Sequence, residues 1–260
     1  MTSLTERLKQ LARELGFASI GISNPDMLED LPYGQVGKII ALRSPVQELP
    51  GVKSIVLLAF HTWDRIFYLS VDPPEWRGYG LHSPEEKFES YYLVYEIMKK
   101  QAWEIVDYLR REGHEAMYSS RIPMKTTAIK CGLGCQGKNT LLVTPQYGPR
   151  VSLISILTSA DLEMDDPFVK DLCGDCNLCV TACPTKALEP YKITIEKCMT
   201  YSAESPCSQD VPLHVREMEK KLVPRPTRNS FIECTKCMDV CPIGKGSQKC
   251  RQMEGMISTE

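Results

Sequence analysis

The sequence predicts an α+β protein whose first half is a mixed body of helices and strands and whose second half is organised by cysteine. Short apolar segments alternate with helical ones in the first half. None of the twelve cysteines precedes Cys131, and ten fall between Cys173 and Cys250. We therefore predict a first domain at 1–160, a second at 161–250 and a tail at 251–260.

Four segments of the first half have the pattern of buried strands. They are ASIGI (18–22), SIVLLAF (54–60), EAMYSS (115–120) and VSLISIL (151–157). An amphipathic stripe of leucines predicts a helix at the N-terminus. A capping box at Ser83 and a glycine at Gly113 predict a long second helix between them, with its aromatic stripe in the core.

Two tryptophans lie in the segment 61–82, among prolines and glycines and without a clear period. This composition predicts a long loop. The loop folds over either the protein's own core or a flat ligand, and the sequence does not separate the two.

Composition and charge narrow the function classes. The chain has 260 residues, 43% apolar and 25% charged, with a formal net charge of −2. This balance excludes a fibre or a disordered tail, and no apolar run approaches the roughly 18–20 residues of a membrane helix. With no signal peptide in view, we predict a cytoplasmic protein. Because that compartment keeps thiols reduced, its cysteines are expected to bind metal.

The first cysteine run has the spacing of a bacterial ferredoxin. CGDCNLCVTACP reads C-x2-C-x2-C-x3-C-P, with the cysteines Cys173, Cys176, Cys179 and Cys183. Three thiolates spaced this way surround one [4Fe-4S] cluster, and the fourth binds the neighbouring cluster. A zinc ribbon would need two separated C-x2-C pairs instead.

A second run completes the pair but lacks its first ligand. ECTKCMDVCP supplies Cys234, Cys237 and Cys241, whereas Phe231 stands where a standard run begins. Cys198 and Cys207 are candidates for the missing ligand, and we favour Cys198. One predicted cluster is then held by Cys173, Cys176, Cys179 and Cys241, and the other by Cys183, Cys198, Cys234 and Cys237.

A glycine-rich segment, CGLGCQGKNTLL, precedes the cysteines. Gly132, Gly137 and Lys138 fit the G-x4-G-K of a phosphate-binding loop, but Asn139 replaces the Ser or Thr that holds Mg²⁺. An ATP-driven scaffold is therefore a weak alternative. A tight turn is the structural alternative, and close backbone approach to a bulky ligand is the functional one.

Taken in order, GLGCQGKNTLLVTPQYG, VSLISIL, LCGDCNLCVTACPTKAL, EKCMTY and ECTKCMDVCPIGK resemble the epoxyqueuosine reductases, cobalamin-dependent relatives of the reductive dehalogenases. The resemblance implies a nitroreductase-like cobalamin domain followed by a ferredoxin-like module. It also implies Cys198 as the outside ligand, and a corrinoid pocket with contacts from Gly134, Gly137, Lys138, Asn139 and Thr140.

The chain departs from this family in two ways. Where the family carries an aspartate as proton donor, MYSSRIPMK has no carboxylate, and Tyr118 is the nearest candidate acid. We expect the family's RNA-binding helical repeats to be missing, and the formal net charge of −2 is not basic. We therefore expect a small-molecule substrate and do not expect nucleic acid or a membrane as partner.

Two functions remain open. The first is an oxidoreductase that passes single electrons from a low-potential donor through two [4Fe-4S] clusters to a bound corrinoid. The second is an electron-transfer protein that reduces a redox partner protein and has no chemistry of its own.

Overall fold

The structure is a computed structural model that describes residues 2–31, 35–36, 40–83, 86 and 90–245. By contacts the chain divides into two compact units. Unit 1 comprises Met1–His61, Tyr95–Cys135 and Val151–Lys170, and unit 2 comprises Thr62–Val94, Gln136–Arg150 and Asp171–Glu260. The units thus alternate along the chain, whereas the predicted domains meet at a single position near residue 160. The domain assignment itself stays a prediction.

The helices are mostly short. They are α1 (Leu4–Glu14), α2 (Pro45–Glu48), α3 (Leu93–Arg111), α4 (Met124–Lys130), α5 (Leu178–Thr181), α6 (Met199–Glu204), α7 (Leu213–Leu222) and α8 (Lys236–Asp239), with 3₁₀ turns at Pro25–Leu28, Arg65–Tyr68 and Ile195–Lys197. No helix within the described ranges is long and apolar enough to cross a membrane.

Two of the strands, β4 and β10, are long. The strands are β1 (Ser19–Ser23), β2 (Gln35–Val36), β3 (Ile40–Ala41), β4 (Ser54–His61), β5 (Leu69–Val71), β6 (Tyr91–Tyr92), β7 (Ala116–Ser119), β8 (Cys135–Gln136), β9 (Leu142–Val143), β10 (Val151–Thr158), β11 (Leu188–Glu189), β12 (Lys192–Ile193) and β13 (Ser230–Ile232).

Unit 1 contains a four-stranded antiparallel sheet in the order β1-β4-β10-β7. All four strands lie where the sequence predicts them. Every residue of the inner strand β4 is buried, which explains its uninterrupted apolar sequence. On the side of α4, an added Cβ at Gly21 would lie 2.5 Å from the carbonyl oxygen of Cys131. Glycine is therefore required where β1 meets the end of this helix.

The long helix begins later than the sequence predicts. Tyr91 and Tyr92 form β6, which pairs with β5, and α3 starts at Leu93. The prediction of one helix from Ser83 was wrong because pairing with β5 overrides the helical spacing of these tyrosines. Residues 84–85 and 87–89, which include the predicted core residue Phe88, lie outside the described residues. The predicted end is confirmed, since Gly113 has a φ of +89°.

Unit 2 contains the three-stranded sheet β13-β5-β6, the hairpin β11-β12 and, from Gln136 onward, the hairpin β8-β9. The short helices α5 and α8, one from each cysteine run, contact each other. Within the segment predicted as a loop, the indole of Trp76 is buried and donates a hydrogen bond of 2.8 Å to the carbonyl oxygen of Glu204. This part of the segment therefore folds over the protein's own core.

Candidate metal centre

Four predicted ligands line one cavity of unit 2. The cavity has a volume of about 60 Å³, and its walls include the thiols of Cys173, Cys176, Cys179 and Cys241. Three of these come from the first run and one from the second. Four thiols around a common space form the donor set of a [4Fe-4S] cluster.

The first run follows a tight path around this cavity. The N–H of Cys176 donates to the carbonyl oxygen of Cys173 at 3.0 Å, and Gly174 between them has a φ of +47°. Asp171 accepts the N–H of Cys173 at 2.8 Å, which lowers the pKa of that carboxyl. Cys179 then lies in the first turn of α5. The C-x2-C-x2-C spacing therefore reflects a closed turn followed by a helix.

Arg150 positions the main chain around the fourth thiol, that of Cys241. Its buried guanidinium donates hydrogen bonds to the carbonyl oxygens of Met238, Cys241 and Ile243 at 3.1, 2.9 and 2.9 Å. The sequence gives no sign of this role because the acceptors are carbonyl groups about ninety positions further along the chain.

Glycine allows the same segments to meet closely. An added Cβ at Gly244 would lie 2.2 Å from the carbonyl carbon of Tyr147. An added Cβ at Gly148 would lie 2.2 Å from the carbonyl oxygen of Ile243. Neither position has space for a side chain, so the two backbones are in direct contact.

The other four predicted ligands are electrostatic neighbours. Burial, with a smaller contribution from the thiol of Cys234, raises the pKa of the Cys198 thiol to about 11. Burial also raises the pKa of Cys237, and nearby thiols add to that shift; they are Cys198, Cys234, Cys179 and Cys183. The influence of Cys179 links this second group to the first. The N–H of Ala187 also donates to the sulfur of Cys183 at 3.3 Å.

The cysteines outside the two predicted ligand sets are placed differently. Cys207 is exposed, and its N–H donates to the carbonyl oxygen of Arg77. Cys250 lies outside the described residues. Phe231, which occupies the position of the missing ligand, is completely buried in β13, edge-on to Tyr92. Phe231 thus serves the core of unit 2, which explains why the second run needs a ligand from elsewhere.

Among the described residues, no group of three or more His, Cys, Asp and Glu side chains is placed to hold a metal ion. The thiols of the first group stand around the wall of a cavity. The thiols that bind a four-iron cube do so at separate corners, so they do not have to converge on a single metal ion.

The glycine-rich segment forms the hairpin β8-β9. Gly137 donates its N–H to the carbonyl oxygen of Leu141 and accepts that of Thr140, whose φ is +64°. A phosphate-binding loop leads into a helix whose N–H groups face the phosphates. This segment leads into a strand, so the structure does not support the phosphate-loop alternative.

The predicted corrinoid contacts fall in both units. Gly134 belongs to unit 1, whereas Gly137, Lys138, Asn139 and Thr140 belong to unit 2. Lys138 and Asn139 line the cavity of the four thiols. Asn139 also accepts the N–H of Leu141 at 3.2 Å. The side chains of Lys138 and Asn139 therefore lie at the cavity of the cysteines, and Asn139 also stabilises the hairpin β8-β9.

Tyr118 lies on β7 in unit 1, opposite Ile156 of β10. Its ring meets Trp103 of α3 edge-on at 5.6 Å between centroids, and the guanidinium of Arg110 lies 5.5 Å from the Trp103 ring. These contacts give the tyrosine ring a packing role, whereas its role as an acid stays a prediction.

Comparison with known proteins supports the metal centre. Residues 172–244 match the model of a 4Fe-4S double cluster binding domain. The epoxyqueuosine reductase of Gloeobacter violaceus is 29% identical over 96% of this chain and 79% of its own length. That of Bacillus subtilis is 26% identical over 94% of this chain and 64% of its own length. The predicted resemblance to this family is thereby confirmed.

Solved structures share the fold. An epoxyqueuosine reductase with an epoxyqueuosine-modified tRNA stem loop matches with a TM-score of 0.67 at 23% identity, over 94% of this chain and 66% of that one. A reductive dehalogenase matches with a TM-score of 0.53 at 17% identity, over 83% of this chain and 33% of that one. This chain thus spans about two thirds of the length of the first and one third of the second.

The comparisons confirm several predictions and overturn one. The chain has the predicted α+β fold. It is an enzyme of the iron–sulfur oxidoreductase class, and the alternative of a pure electron-transfer protein is not favoured. The exclusion of nucleic acid was wrong, because a similar structure holds a tRNA stem loop. A net charge sums over the whole surface, whereas RNA contacts depend on local groups.

Proposed function

We propose that this chain is a reductase of the epoxyqueuosine reductase type, which holds two [4Fe-4S] clusters and reduces an epoxide on a modified nucleoside of a tRNA stem loop. The observation that carries the proposal is the cavity shared by Cys241 and three thiols of the first run. It accounts for why a second, incomplete run is present.

The remaining thiols complete the proposal. Cys183, Cys198, Cys234 and Cys237 would hold the second cluster, supported by the mutual electrostatic effects of their thiols. When bound, two such clusters carry electrons one at a time between a donor and an acceptor. Because these thiols must stay reduced, the cytoplasm is the compartment we propose.

The reaction we propose is a two-electron, two-proton reduction. Converting an epoxide to an alkene and water, or to an alcohol, consumes two electrons and two protons. The electrons come from a low-potential donor. The candidate for one proton is the phenol of Tyr118, since MYSSRIPMK offers no carboxylate.

We propose a corrinoid only from structural similarity to a reductive dehalogenase, whose structure suggests a mechanism for B12-dependent dehalogenation. The two cavities described within unit 2 measure about 220 and 60 Å³, below the roughly 300–1,000 Å³ of ordinary ligand pockets. Neither of these two cavities is therefore large enough to hold a corrinoid. The contacts of Gly134, Gly137, Lys138, Asn139 and Thr140 with it remain predictions, and no step is derived through it.

The test uses the full chain reconstituted without oxygen, with cobalamin, dithionite and a tRNA stem loop carrying epoxyqueuosine. We expect about eight irons per chain and loss of the epoxide by mass spectrometry of the digested nucleosides. Cobalt retained at about one per chain would support the corrinoid.

Two outcomes would overturn different parts of the proposal. About eight irons with an unchanged nucleoside would refute the substrate, and about four irons would refute the double-cluster assignment. An unmodified stem loop and a reaction without dithionite are the controls.

A further inference from the structure

The hairpin β8-β9 brings a cation to the first cysteine cavity. Lys138 is only 8% exposed and lines the same cavity as the thiols of Cys173, Cys176, Cys179 and Cys241. Lysine is rarely buried unless its charge is paired, so a buried lysine here calls for an explanation.

The ammonium of Lys138 is held by neutral groups. It donates a hydrogen bond of 3.2 Å to the side-chain oxygen of Asn177, which lies between Cys176 and Cys179 in the first run. It also lies 6.0 Å from the centre of the Tyr191 ring. An ammonium has three N–H donors, so Asn177 does not exhaust them. Neither contact removes the positive charge.

The carboxylate of Asp171 interacts electrostatically with Lys138 and compensates this charge only partly. Asp171 accepts hydrogen bonds from the Tyr191 hydroxyl at 3.0 Å and from the N–H of Cys173. Its side chain is exposed to water, as is that of Asp175. Water screens an exposed charge far more than a buried one. The field of Lys138 therefore prevails over that of Asp171 inside the cavity.

We propose that Lys138 raises the reduction potential of the cluster held by these four thiols, an inference that rests on the cluster assignment of the proposed function. Taking up one electron from a low-potential donor adds one negative charge to the cluster, with no bond made or broken. A buried cation beside the cavity stabilises that added charge. Charge and hydrogen bonding are the means by which proteins set such potentials.

The experiment is a redox titration of the reconstituted full chain, followed by electron paramagnetic resonance. Lys138→Met should lower the ratio of reduced to oxidised cluster about tenfold at a given potential, a shift of about 59 mV for a one-electron couple. Lys138→Arg, which keeps the charge, should have a reduction potential close to that of the wild type. The cluster of the second cysteine group is the internal reference and should move less.

Lys192→Met is the matched control, because it removes the same charge from a side chain that is 72% exposed. In this variant the reduction potential of the first cluster should stay at the wild-type value. Lys138→Gln keeps a hydrogen-bond donor toward Asn177 and serves as the second neutral variant if Lys138→Met loses iron. An unshifted potential in Lys138→Gln, or an equal shift in Lys192→Met, overturns the inference.

The titration requires no RNA, so it separates this inference from the proposed reaction. A shifted potential together with an unreactive stem loop would uphold the role of Lys138 and reject the substrate. Wild-type protein that binds no [4Fe-4S] cluster after reconstitution would reject both.

Discussion

The guanidinium of Arg150 donates a hydrogen bond of 2.9 Å to the carbonyl oxygen of Cys241, the one cysteine of the second run that lines the cavity of the first. With two further bonds to Met238 and Ile243, one buried side chain sets the path of the chain on both sides of this thiol. Arg150 therefore positions the main chain that carries the Cys241 thiol.

Arg150→Met should destabilise the protein and weaken cluster retention. Hydrogen bonds to charged groups contribute about 1.5–3 kcal/mol each, and three carbonyl groups would lose their donor. We expect the free energy of unfolding of the iron-free chain to fall by about 3 kcal/mol in urea denaturation.

Arg77→Met is the control for this change. Arg77 is half exposed and pairs with Glu86 at 3.0 Å, so its loss should cost less than about 1 kcal/mol. Equal costs for the two variants would contradict the role given to Arg150.

Comparing Cys198→Ser with Cys207→Ser shows which of the two cysteines supplies the ligand that the second run lacks. Cys198 lies among the thiols of the second group, whereas Cys207 is exposed. Cys198→Ser should lower iron from about eight to about four to seven atoms per chain, and Cys207→Ser should leave it unchanged. Iron analysis of both reconstituted variants is the measurement, and the reverse pattern would rule out Cys198.

Tyr118→Phe tests the proposed acid without disturbing the packing. The phenylalanine ring keeps the edge-on contact with Trp103, so stability should change little. Loss of a proton donor should slow epoxide reduction by about 100-fold or more. Tyr91→Phe, at a side chain that is 54% exposed, is the control and should react at the wild-type rate. A Tyr118→Phe enzyme of full activity would leave the tyrosine with packing alone.

Cys131 should resist alkylation in the folded chain. Burial raises the pKa of its thiol from 9.0 to about 12, so about one molecule in 10,000 carries the reactive thiolate at pH 8. Iodoacetamide followed by peptide mass spectrometry should label the exposed Cys207 and leave Cys131 unlabelled. Labelling of Cys131 as fast as Cys207 would show that its site opens freely.

The same raised pKa gives a stability prediction with a defined sign. Between pH 9 and 12 the unfolded thiol loses its proton while the folded thiol of Cys131 keeps it. The folded state then binds more protons, so the free energy of unfolding falls as the pH rises. Cys131→Ala should reduce this slope in urea denaturation above pH 9.

The sheet of unit 1 could be predicted from sequence because its signal is local. The apolar runs of β4 and β10 are long, and each residue contributes to the pattern. The start of α3 could not be predicted from the sequence, because Tyr91 and Tyr92 have helical spacing but pair with the distant strand β5.

Some features of the metal centre could likewise be predicted from the sequence, and others could not. The spacing of the cysteines predicted which thiols would share a cavity, since each ligand type and offset appears in the chain itself. Arg150 and the placement of Lys138 could not be predicted, because their partners are main-chain carbonyl groups and a cavity that exist only in the folded chain. The prediction against a nucleic-acid partner rested on the net charge, and a total charge carries no information about how charge is distributed over the surface.

The shared cavity also has a consequence for the chain as it is being made. Cys241 follows Cys179 by sixty-two positions, which a ribosome adding about 5–20 residues per second covers in roughly 3–12 s. During that interval three closely spaced thiols have left the ribosome without the fourth. The nascent chain therefore depends on reducing surroundings to keep them from oxidation. If these four thiols hold one cluster, as proposed, that cluster can be completed only after translation has passed Cys241.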